Sequence, residues 1–295
     1  MKKLIIGAAL GALTTSAGIA QDWDKVEVTS EPVAGSVHVL YGAGGNIGVS
    51  VGDDGVYIID DQYAPLTDKI RAAISALSDK PIRFAINTHY HGDHTGGNEN
   101  LGATGTVIMA HDNVRVRLTA GSFIKAFNMK TEPKTGAALP VVTFNDEISL
   151  HLNGEEARVI HVANAHTDGD SIVHFRGSNV IHMGDTFFDN RFPFIDVSGG
   201  GSIGGVIKTA KTALAIADDA TKIIPGHGKV TDKAGLEAYL AMLNEVRTII
   251  GGLKAEGKTL EEIQAMAPLS GFDAKWQTNN ENWPSMFIEF VYTSL

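Results

Sequence analysis

Cysteine is absent from the 295-residue sequence, and basic residues are few. Without cysteine the chain forms no disulfide, presents no thiolate to a metal and has no thiol to carry a lipid anchor. Its 24 lysines and arginines stand against 34 aspartates and glutamates, which gives a formal net charge of −10. An acidic chain repels polyanions, so nucleic acid and anionic lipid are disfavoured as partners and a small molecule is favoured.

Long apolar runs are also lacking beyond the N-terminus. No apolar stretch of about 20 residues lies in the body of the chain, so we expect no transmembrane helix there. Lys2 and Lys3 precede a short apolar stretch at 4–20, which ends in small residues before Gln21. This pattern predicts a signal peptide over 1–20, export to the periplasm or beyond, and no membrane attachment after cleavage. A membrane anchor is the alternative, which the shortness of the stretch disfavours.

A dense cluster of metal-binding side chains is present instead. His89, His91, Asp93 and His94 fall within six positions. Imidazole and carboxylate groups suit a borderline or hard divalent cation such as zinc. The apolar run at 82–87 precedes the cluster and predicts a buried strand, so we expect the cluster on a loop at the carboxyl end of that strand.

The spacing within this cluster favours two metals. Residues 89 and 91 are two apart and can point to the same side of an extended loop, whereas 93 and 94 are adjacent and would point apart. Such a division fits two neighbouring cations better than one. A polar surface loop without a metal is the alternative, and the crowding of four ligand-type residues disfavours it.

Three further candidate ligands lie later in the chain. His166, Asp185 and His227 each follow a short apolar run and stand close to a glycine. Taken singly, each would more often be a capping or structural residue. Together with the cluster at 89–94 they repeat one pattern, a strand followed by a ligand loop.

The same residue order, with an apolar strand that ends in Asp60 ahead of it, resembles the metallo-β-lactamase-fold hydrolase superfamily. The resemblance spans most of the chain. It implies an α/β fold, the αββα sandwich in which two mixed sheets are flanked by helices, in a single domain over 21–295.

The resemblance also implies a ligand set for two metals. One metal is held by His89, His91 and His166, the other by Asp93, His94 and His227, and Asp185 bridges both. Two Zn²⁺ ions are the expected cofactors, with iron or manganese left open. Two cations that share a water lower its pKa, and Asp93 is the expected catalytic group that orients this nucleophile or accepts its proton.

Position 185 bears on the substrate. The β-lactamases of the family carry cysteine or serine there, and Asp185 is instead the residue of its thioesterases, lactonases and phosphodiesterases. Export favours β-lactams, which are met outside the cytoplasm. Ring opening of β-lactams is therefore the leading prediction, with hydrolysis of the other substrates as the alternative. A di-iron oxidoreductase or relay protein linked to quinoprotein or sulfur oxidation is the alternative from another class.

Two regions offer substrate contacts. Arg191, six residues after Asp185, is the candidate partner of a substrate carboxylate, and a solvated loop charge is the alternative. Residues 119–139 break the pattern of strands and helices and contain Phe123 and Phe127. This stretch is either an insertion that packs its aromatic rings on the body or a rim of the active site.

Hydrophobic periodicity predicts the other elements. Strands are expected at 36–41, 47–51, 56–59, 106–110, 141–144, 148–152, 156–162, 171–176 and 179–183. Helices are expected at 64–77, 111–118, 203–217, 231–253, 259–266 and 284–293. The sequence leaves the oligomeric state open.

Overall fold

The computed structural model describes residues 22–272, 276 and 280–295, and the expected signal peptide lies outside them. The strands are β1 (Thr29–Ala34), β2 (Val37–Tyr41), β3 (Ile47–Gly52), β4 (Gly55–Ile59), β5 (Ile82–Asn87), β6 (Val107–His111), β7 (Ser122–Ile124), β8 (Met129–Thr131), β9 (Val142–Phe144), β10 (Glu147–Leu152), β11 (Glu155–His161), β12 (Ser171–Phe175), β13 (Val180–His182), β14 (Lys222–Ile224) and β15 (Thr231–Asp232). The α-helices are α1 (Thr67–Ser75), α2 (Gly92–Thr95), α3 (Asn98–Gly102), α4 (Asp112–Ala120), α5 (Ile203–Ile216), α6 (Lys233–Ala255), α7 (Leu260–Met266) and α8 (Trp283–Ser294). Across the part of the chain that the structure describes, no helix is both long and apolar enough to cross a membrane.

The strands form two mixed sheets. The first has the order β1-β2-β3-β4-β5-β6-β9, antiparallel from β1 to β4 and parallel from β4 to β9. The second has the order β10-β11-β12-β13-β14-β15, in which β13 and β14 are parallel and the other neighbours antiparallel. A parallel pair needs a crossover connection, and α1, α3, α4 and α5 lie in those connections.

The apolar clusters show the layer order helix, sheet, sheet, helix. Alternate residues of β4 belong to two different apolar clusters. Tyr57 and Ile59 face the second sheet, and Val56 and Ile58 face α1. This double burial explains why β4 is apolar throughout. On the other side of the molecule, α5, α6 and α8 pack on the second sheet in one cluster that includes Phe287. The predicted αββα sandwich is confirmed.

Helix α6 shows how the sequence positions an element. Its buried face recurs every three or four residues and consists of Leu236, Tyr239, Leu243, Val246 and Ile250. The helix begins two residues later than predicted, because Thr231 and Asp232 pair with β14 as strand β15. Asp232 also ends that strand as the helix cap, since its side chain accepts the Gly235 N–H at 3.1 Å.

Residues 122–131 form a β-hairpin that the sequence did not predict. Strands β7 and β8 pair antiparallel around a 3-10 turn at Lys125–Phe127. Strands of three residues are too short to show the alternation of apolar and polar residues from which strands are predicted. Ser198 ties the hairpin to the body, because its hydroxyl oxygen lies 3.2 Å from the Phe123 carbonyl and 3.2 Å from the Lys125 N–H.

Candidate metal centre

Seven histidine and aspartate side chains meet where four strands end. His89, His91, Asp93 and His94 follow β5, His166 follows β11, Asp185 follows β13 and His227 follows β14. They fall into two clusters, His89, His91, His166 and Asp185 in one and Asp93, His94 and His227 in the other, and the candidate ligand atoms of each lie within 4.8 Å of one another. We call His89, His91 and His166 the tri-histidine group, and Asp93, His94 and His227 the mixed group. The fold thus brings together all seven residues that the sequence analysis selected.

The tri-histidine group is buried. The Nε2 atom of His166 lies 3.0 Å from Nδ1 of His91. The Nε2 atoms of His89 and His166 lie 4.0 and 3.6 Å from Oδ2 of Asp185. Asp185 therefore lies at one side of the tri-histidine group, close enough to bind the same ion as these histidines.

Asp185 also faces the mixed group. Its Oδ1 lies 3.0 Å from Nε2 of His94, and its Oδ2 lies 3.3 Å from Nε2 of His227. Within the mixed group, Oδ2 of Asp93 lies 3.6 Å from Nε2 of His94 and 3.3 Å from Nε2 of His227. One carboxylate thus stands between both groups, which is the placement of a bridging ligand.

The segment that carries the first four residues is not the extended loop that was expected. It turns into α2, where the His91 carbonyl accepts the N–H groups of His94 and Thr95 at 3.0 and 3.1 Å. This single turn directs Asp93 and His94 to the same group, so the expectation that these adjacent side chains point apart is wrong. A helix of four residues is too short to be recognised from periodicity.

Several of these atoms are buried without a hydrogen bond. Among the described residues, His89 Nε2, His94 Nε2 and Asp185 Oδ1 form no hydrogen bond, although the last two approach each other to 3.0 Å as an ion pair. An unsatisfied buried polar atom costs about 1–3 kcal/mol, so native structures rarely keep several in one place without a ligand. Imidazole nitrogens and carboxylate oxygens are ligands of divalent cations. The donor set therefore fits a bound metal.

Asp60, the aspartate at the end of β4, orients ligands of both groups. Its Oδ2 lies 2.7 Å from Nδ1 of His94. The Thr88 N–H and hydroxyl donate to Asp60 at 2.7 and 2.8 Å, and the same hydroxyl oxygen lies 3.0 Å from Nδ1 of His89. Acceptors on the Nδ1 atoms fix the tautomers in which Nε2 is free for a metal.

Asp196 orients His91 through the other ring nitrogen, because it contacts Nε2 and leaves Nδ1 free for a metal, and it was not predicted from the sequence. Its Oδ2 lies 3.1 Å from Nε2 of His91 and accepts the Tyr90 hydroxyl at 2.5 Å. Burial opposes ionisation of this carboxyl, but the hydrogen bonds, that from His91 foremost, lower its pKa below the ordinary value. The sequence did contain a signal for Asp196. This residue directly follows the apolar run at 192–195, as Asp60 directly follows β4.

The two groups differ in their protonation. Burial lowers the pKa of His89 and takes that of His166 to about 4. Burial acts on His227 too, but the charges of Asp185 and Asp93 outweigh it and raise the pKa of His227 to about 9. His89 and His166 are therefore neutral, whereas His227 is protonated and forms ion pairs with Asp93 and Asp185.

A cavity of about 360 Å³ opens onto the cluster. Its polar lining consists of His91, Asp93, Asp185, Arg191 and His227. The other lining side chains are mostly aromatic or apolar and comprise Tyr63, Ile124, Phe127, Met129, Phe188, Phe194 and Trp283. A concave site with apolar walls and few polar groups is the usual form of a small-molecule site.

Arg191 lines this cavity beside Phe188. The carbon at the centre of its guanidinium lies 4.9 Å from the centroid of the Phe188 ring. Burial lowers the pKa of Arg191, and its buried Nε has no hydrogen-bond partner within residues 22–272, 276 and 280–295. The side chain is thus a partly desolvated cation at the cavity rather than a solvated loop charge.

The two phenylalanines that were predicted to contact substrate face opposite ways. Phe127 lines the cavity, with its ring centroid 4.7 Å from that of Phe194. Successive side chains of a strand point to opposite faces, and on β7 Ile124 is buried while Phe123 is 51% exposed. The structure therefore corrects the prediction for Phe123, which points away from the cavity. The hairpin both rims the cavity and packs on the body.

Comparison with known proteins places the chain in a family. The model of the metallo-beta-lactamase superfamily matches residues 25–227. This match covers more than half of the chain, which therefore belongs to the metallo-beta-lactamase superfamily. The 2,4-dinitroanisole O-demethylase subunit alpha of Nocardioides sp. (strain JS1661) is 27% identical over 170 residues, which are 57% of this chain and 48% of that protein. The chain thus spans about half the length of this curated relative.

Solved structures share the fold. The metallo-beta-lactamase from Pontibacter korlensis aligns with a TM-score of 0.60 at 16% identity and covers 74% of this chain and 99% of its own. The DIM-1 metallo-beta-lactamase aligns with a TM-score of 0.60 at 21% identity and covers 75% and 99%. Superfamily and fold together are consistent with a metal-dependent hydrolase.

Proposed function

We propose that this chain is a dinuclear metal-dependent hydrolase whose substrates are β-lactams. The position of Asp185 carries the dinuclear part of the proposal, because its oxygens lie 3.0–4.0 Å from ring nitrogens of both ligand groups. The tri-histidine group would hold one metal and the mixed group the other, with Asp185 shared between them. Two zinc ions are the proposed cofactors, and iron or manganese are the alternatives because nitrogen and oxygen ligands bind these metals as well.

The protein's own part in the reaction is to orient water and to take a proton. Two bound divalent cations would lower the pKa of a shared water and withdraw charge from the scissile oxygen. Asp93 is 21% exposed beside the cavity, whereas Asp185 is 5% exposed. Asp93 is therefore the carboxylate of the cluster that solvent reaches, and we assign it the orientation of the attacking water and the acceptance of its proton.

Arg191 supports a substrate that carries a carboxylate, as β-lactam antibiotics do beside the reactive ring. A partly desolvated guanidinium gains more from a bidentate carboxylate than an exposed one does, because less solvent competes for its donors. The expected export of the chain adds to this reading, since β-lactams are met outside the cytoplasm.

A second candidate is the hydrolysis of esters, thioesters, lactones or phosphodiesters. The aspartate at position 185 favours it, because the resemblance assigns this residue to such enzymes rather than to β-lactamases. The name of the curated relative does not favour β-lactams either, since dinitroanisole is an aryl ether. A bridging carboxylate serves attack on an amide carbonyl, an ester carbonyl or a phosphorus centre alike, so the same site supports both candidates.

A metal assay combined with a substrate panel tests both candidates. Purified protein is analysed for zinc, iron and manganese and is then assayed with β-lactams, lactones, thioesters and phosphodiesters. We expect two metal equivalents and the highest kcat/KM on a β-lactam. Two equivalents with turnover only of the other substrates would reject the β-lactam proposal and support the second candidate. Iron with redox activity and no hydrolysis would support the oxidoreductase.

Export is the last part of the proposed function. The lysines, the short apolar stretch and the small residues before Gln21 support cleavage of a signal peptide. The full-length chain is expressed in a Gram-negative host, and the N-terminus of the protein is sequenced after osmotic release of the periplasm. We expect a chain that starts at about Gln21. Retention of Met1 in a cytoplasmic fraction would contradict export.

A further inference from the structure

Part of the cavity wall comes from two elements that carry no residue of the metal cluster. The 122–131 hairpin contributes Phe127 and Met129, and helix α8 contributes Trp283. The rings of Phe127 and Trp283 are nearly parallel, with 12° between their planes and 6.3 Å between their centroids. Trp283 lies beyond residues 25–227, the part that matches the superfamily, so this wall includes a feature of this chain's own C-terminal region.

The wall leaves large apolar side chains in contact with solvent. Phe127 is 44% exposed and Met129 is 46% exposed. Apolar side chains that stay in contact with solvent lack the stabilising free energy of burial. Exposed apolar surface beside a concave site indicates a binding place for an apolar ligand. The hairpin exposes them at the cavity that contains the metal cluster, where a substrate must bind.

Contacts on the inner side hold the wall in place. Phe127 packs on Phe194 at 4.7 Å between centroids, and Phe194 lies 5.3 Å from the ring of His166. The indole N–H of Trp283 donates to the Phe192 carbonyl at 2.8 Å, so the polar edge of this ring is satisfied. Side chains that are already ordered lose little entropy when a ligand binds, and they therefore select its shape.

We propose that Phe127, Met129 and Trp283 form a subsite for an aromatic ring carried by the substrate. The proposal rests on the hydrolase function proposed above and names the class of its substrates, carbonyl compounds with an aromatic substituent. Contact between two aromatic rings raises binding affinity by about two- to tenfold beyond the effect of buried area. A methionine sulfur beside an aromatic ring adds to this affinity. A flat ring is therefore preferred over a saturated ring of the same size.

The kinetic test uses substrates that differ in one substituent. Three penicillins carry a benzyl, a cyclohexylmethyl or a methyl group on the same acylamino side chain. We expect kcat/KM to fall in that order, by about tenfold from benzyl to methyl, because the apolar area of the ring is no longer buried. If benzylpenicillin is not turned over, aryl and alkyl esters of matched size replace the penicillins. Equal kcat/KM for benzyl and cyclohexylmethyl substrates would overturn the aromatic preference.

Variants of the hairpin locate the effect. Phe127→Ala is expected to bring the benzyl substrate close to the methyl substrate. Phe127→Leu keeps apolar size and should remove only the preference of benzyl over cyclohexylmethyl. Phe123→Ala is the matched control, because Phe123 lies on the same hairpin and points away from the cavity. An equal loss in Phe123→Ala would show that the hairpin's stability, and not ring contact, sets the preference.

A binding experiment separates the subsite from the hydrolase function. Phenylacetate, cyclohexylacetate and acetate are titrated by calorimetry into protein that carries its metals. We expect phenylacetate to bind about tenfold more tightly than acetate in the wild type and about equally in Phe127→Ala. This result without hydrolysis of any substrate would retain the subsite and reject the hydrolase. Hydrolysis with equal affinities for the three acids would retain the hydrolase and reject the subsite.

Discussion

The tri-histidine group and the mixed group lie side by side, yet they differ in charge and in access to solvent. His89, His91 and His166 are buried, whereas Asp93 and His227 are each about one fifth exposed beside the cavity. Burial is the main cause that lowers the pKa of His89 and His166 and keeps these two imidazoles neutral, while the carboxylates of Asp185 and Asp93 outweigh burial in the mixed group and raise the pKa of His227. Neutral nitrogens are ready for a metal, but a protonated imidazole must first release its proton. We therefore expect the tri-histidine group to bind its metal more tightly and with less dependence on pH.

Loss of a tri-histidine ligand should have the largest effect. His91→Ala removes one of three imidazoles from the buried group, and we expect kcat/KM to fall by more than about a thousandfold, since a metal supplies several kcal/mol of transition-state stabilisation. Metal analysis should show about one equivalent lost and the mixed group still occupied. His151→Ala, an exposed histidine of β10, is the control. Full activity with unchanged metal content would show that His91 is not a metal ligand.

Asp185→Asn tests the residue that the two groups share. It keeps the shape of the side chain and removes the negative charge. We expect the mixed group to lose metal first, because it is the more exposed group and depends on carboxylate charge. Activity should fall by at least about tenfold at trace zinc and recover in part as zinc is raised. Zinc titration followed by kinetics measures this, and an unchanged zinc stoichiometry with unchanged rates would show that Asp185 is no ligand.

The two orienting aspartates should affect the two groups to different extents. Asp196 supports His91 alone, whereas Asp60 contacts His94 directly and reaches His89 through Thr88. Asp196→Asn is expected to weaken the tri-histidine metal by about 10- to 100-fold, and Asp60→Asn to weaken the mixed-group metal by a similar factor. Asparagine suits position 60, where the backbone has a φ of 66°.

Competition with a chromophoric chelator measures the two affinities in each variant. Stepwise addition of Co²⁺ assigns each affinity to a group, because its spectrum depends on its ligands whereas d10 Zn²⁺ is silent. Tyr90→Phe, which removes one hydrogen bond to Asp196, should have a smaller effect. If both aspartate variants lose the same metal, the separate roles of Asp60 and Asp196 are wrong.

The smallest expected effect is the change of thermal stability with pH in protein from which a chelator has removed the metals. The pKa of His227 is raised from 6.5 to about 9, so its contribution to stability is present below pH 6.5 and is lost as the pH rises through 9. The pKa of His166 is lowered from 6.5 to about 4, so stability also falls as the pH drops from 6.5 towards 4. We expect the Tm to peak near pH 6.5 and to decline on both sides.

Thermal unfolding across this range checks the prediction. His227→Gln should reduce the alkaline decline without changing the acid one, and a part of the alkaline decline should remain because the charges of Asp185, Asp93 and Asp60 outweigh burial and raise the pKa of His94 as well. Protein that carries its metals should lack the alkaline decline, because a histidine that binds a metal is neutral. A flat profile between pH 6.5 and 9 in the chelator-treated wild type would contradict the ion-pair network of the mixed group.

Long periodic elements of the fold were predictable from the sequence. Helix α6 repeats its buried apolar residues over about four turns, and β4 and β5 are apolar runs bounded by turn signals. Elements of two to four residues without an apolar run of their own were not predictable, because periodicity needs several repeats to emerge. Strand β15, helix α2 and the 122–131 hairpin belong to this class, and α2 and the hairpin both contribute to the site.

The sequence by itself determined which residues occupy the cluster, because imidazole and carboxylate chemistry belongs to the residue type and its order along the chain is characteristic of a family. The tertiary structure alone decided how they are used. It directed Asp93 and His94 to one group, placed Asp196 behind His91 across 105 residues of chain, and turned Phe127 towards the cavity and Phe123 away from it. These outcomes depend on strand pairing and on the packing of distant segments. Such interactions are summed over the whole fold and leave no local trace in the sequence.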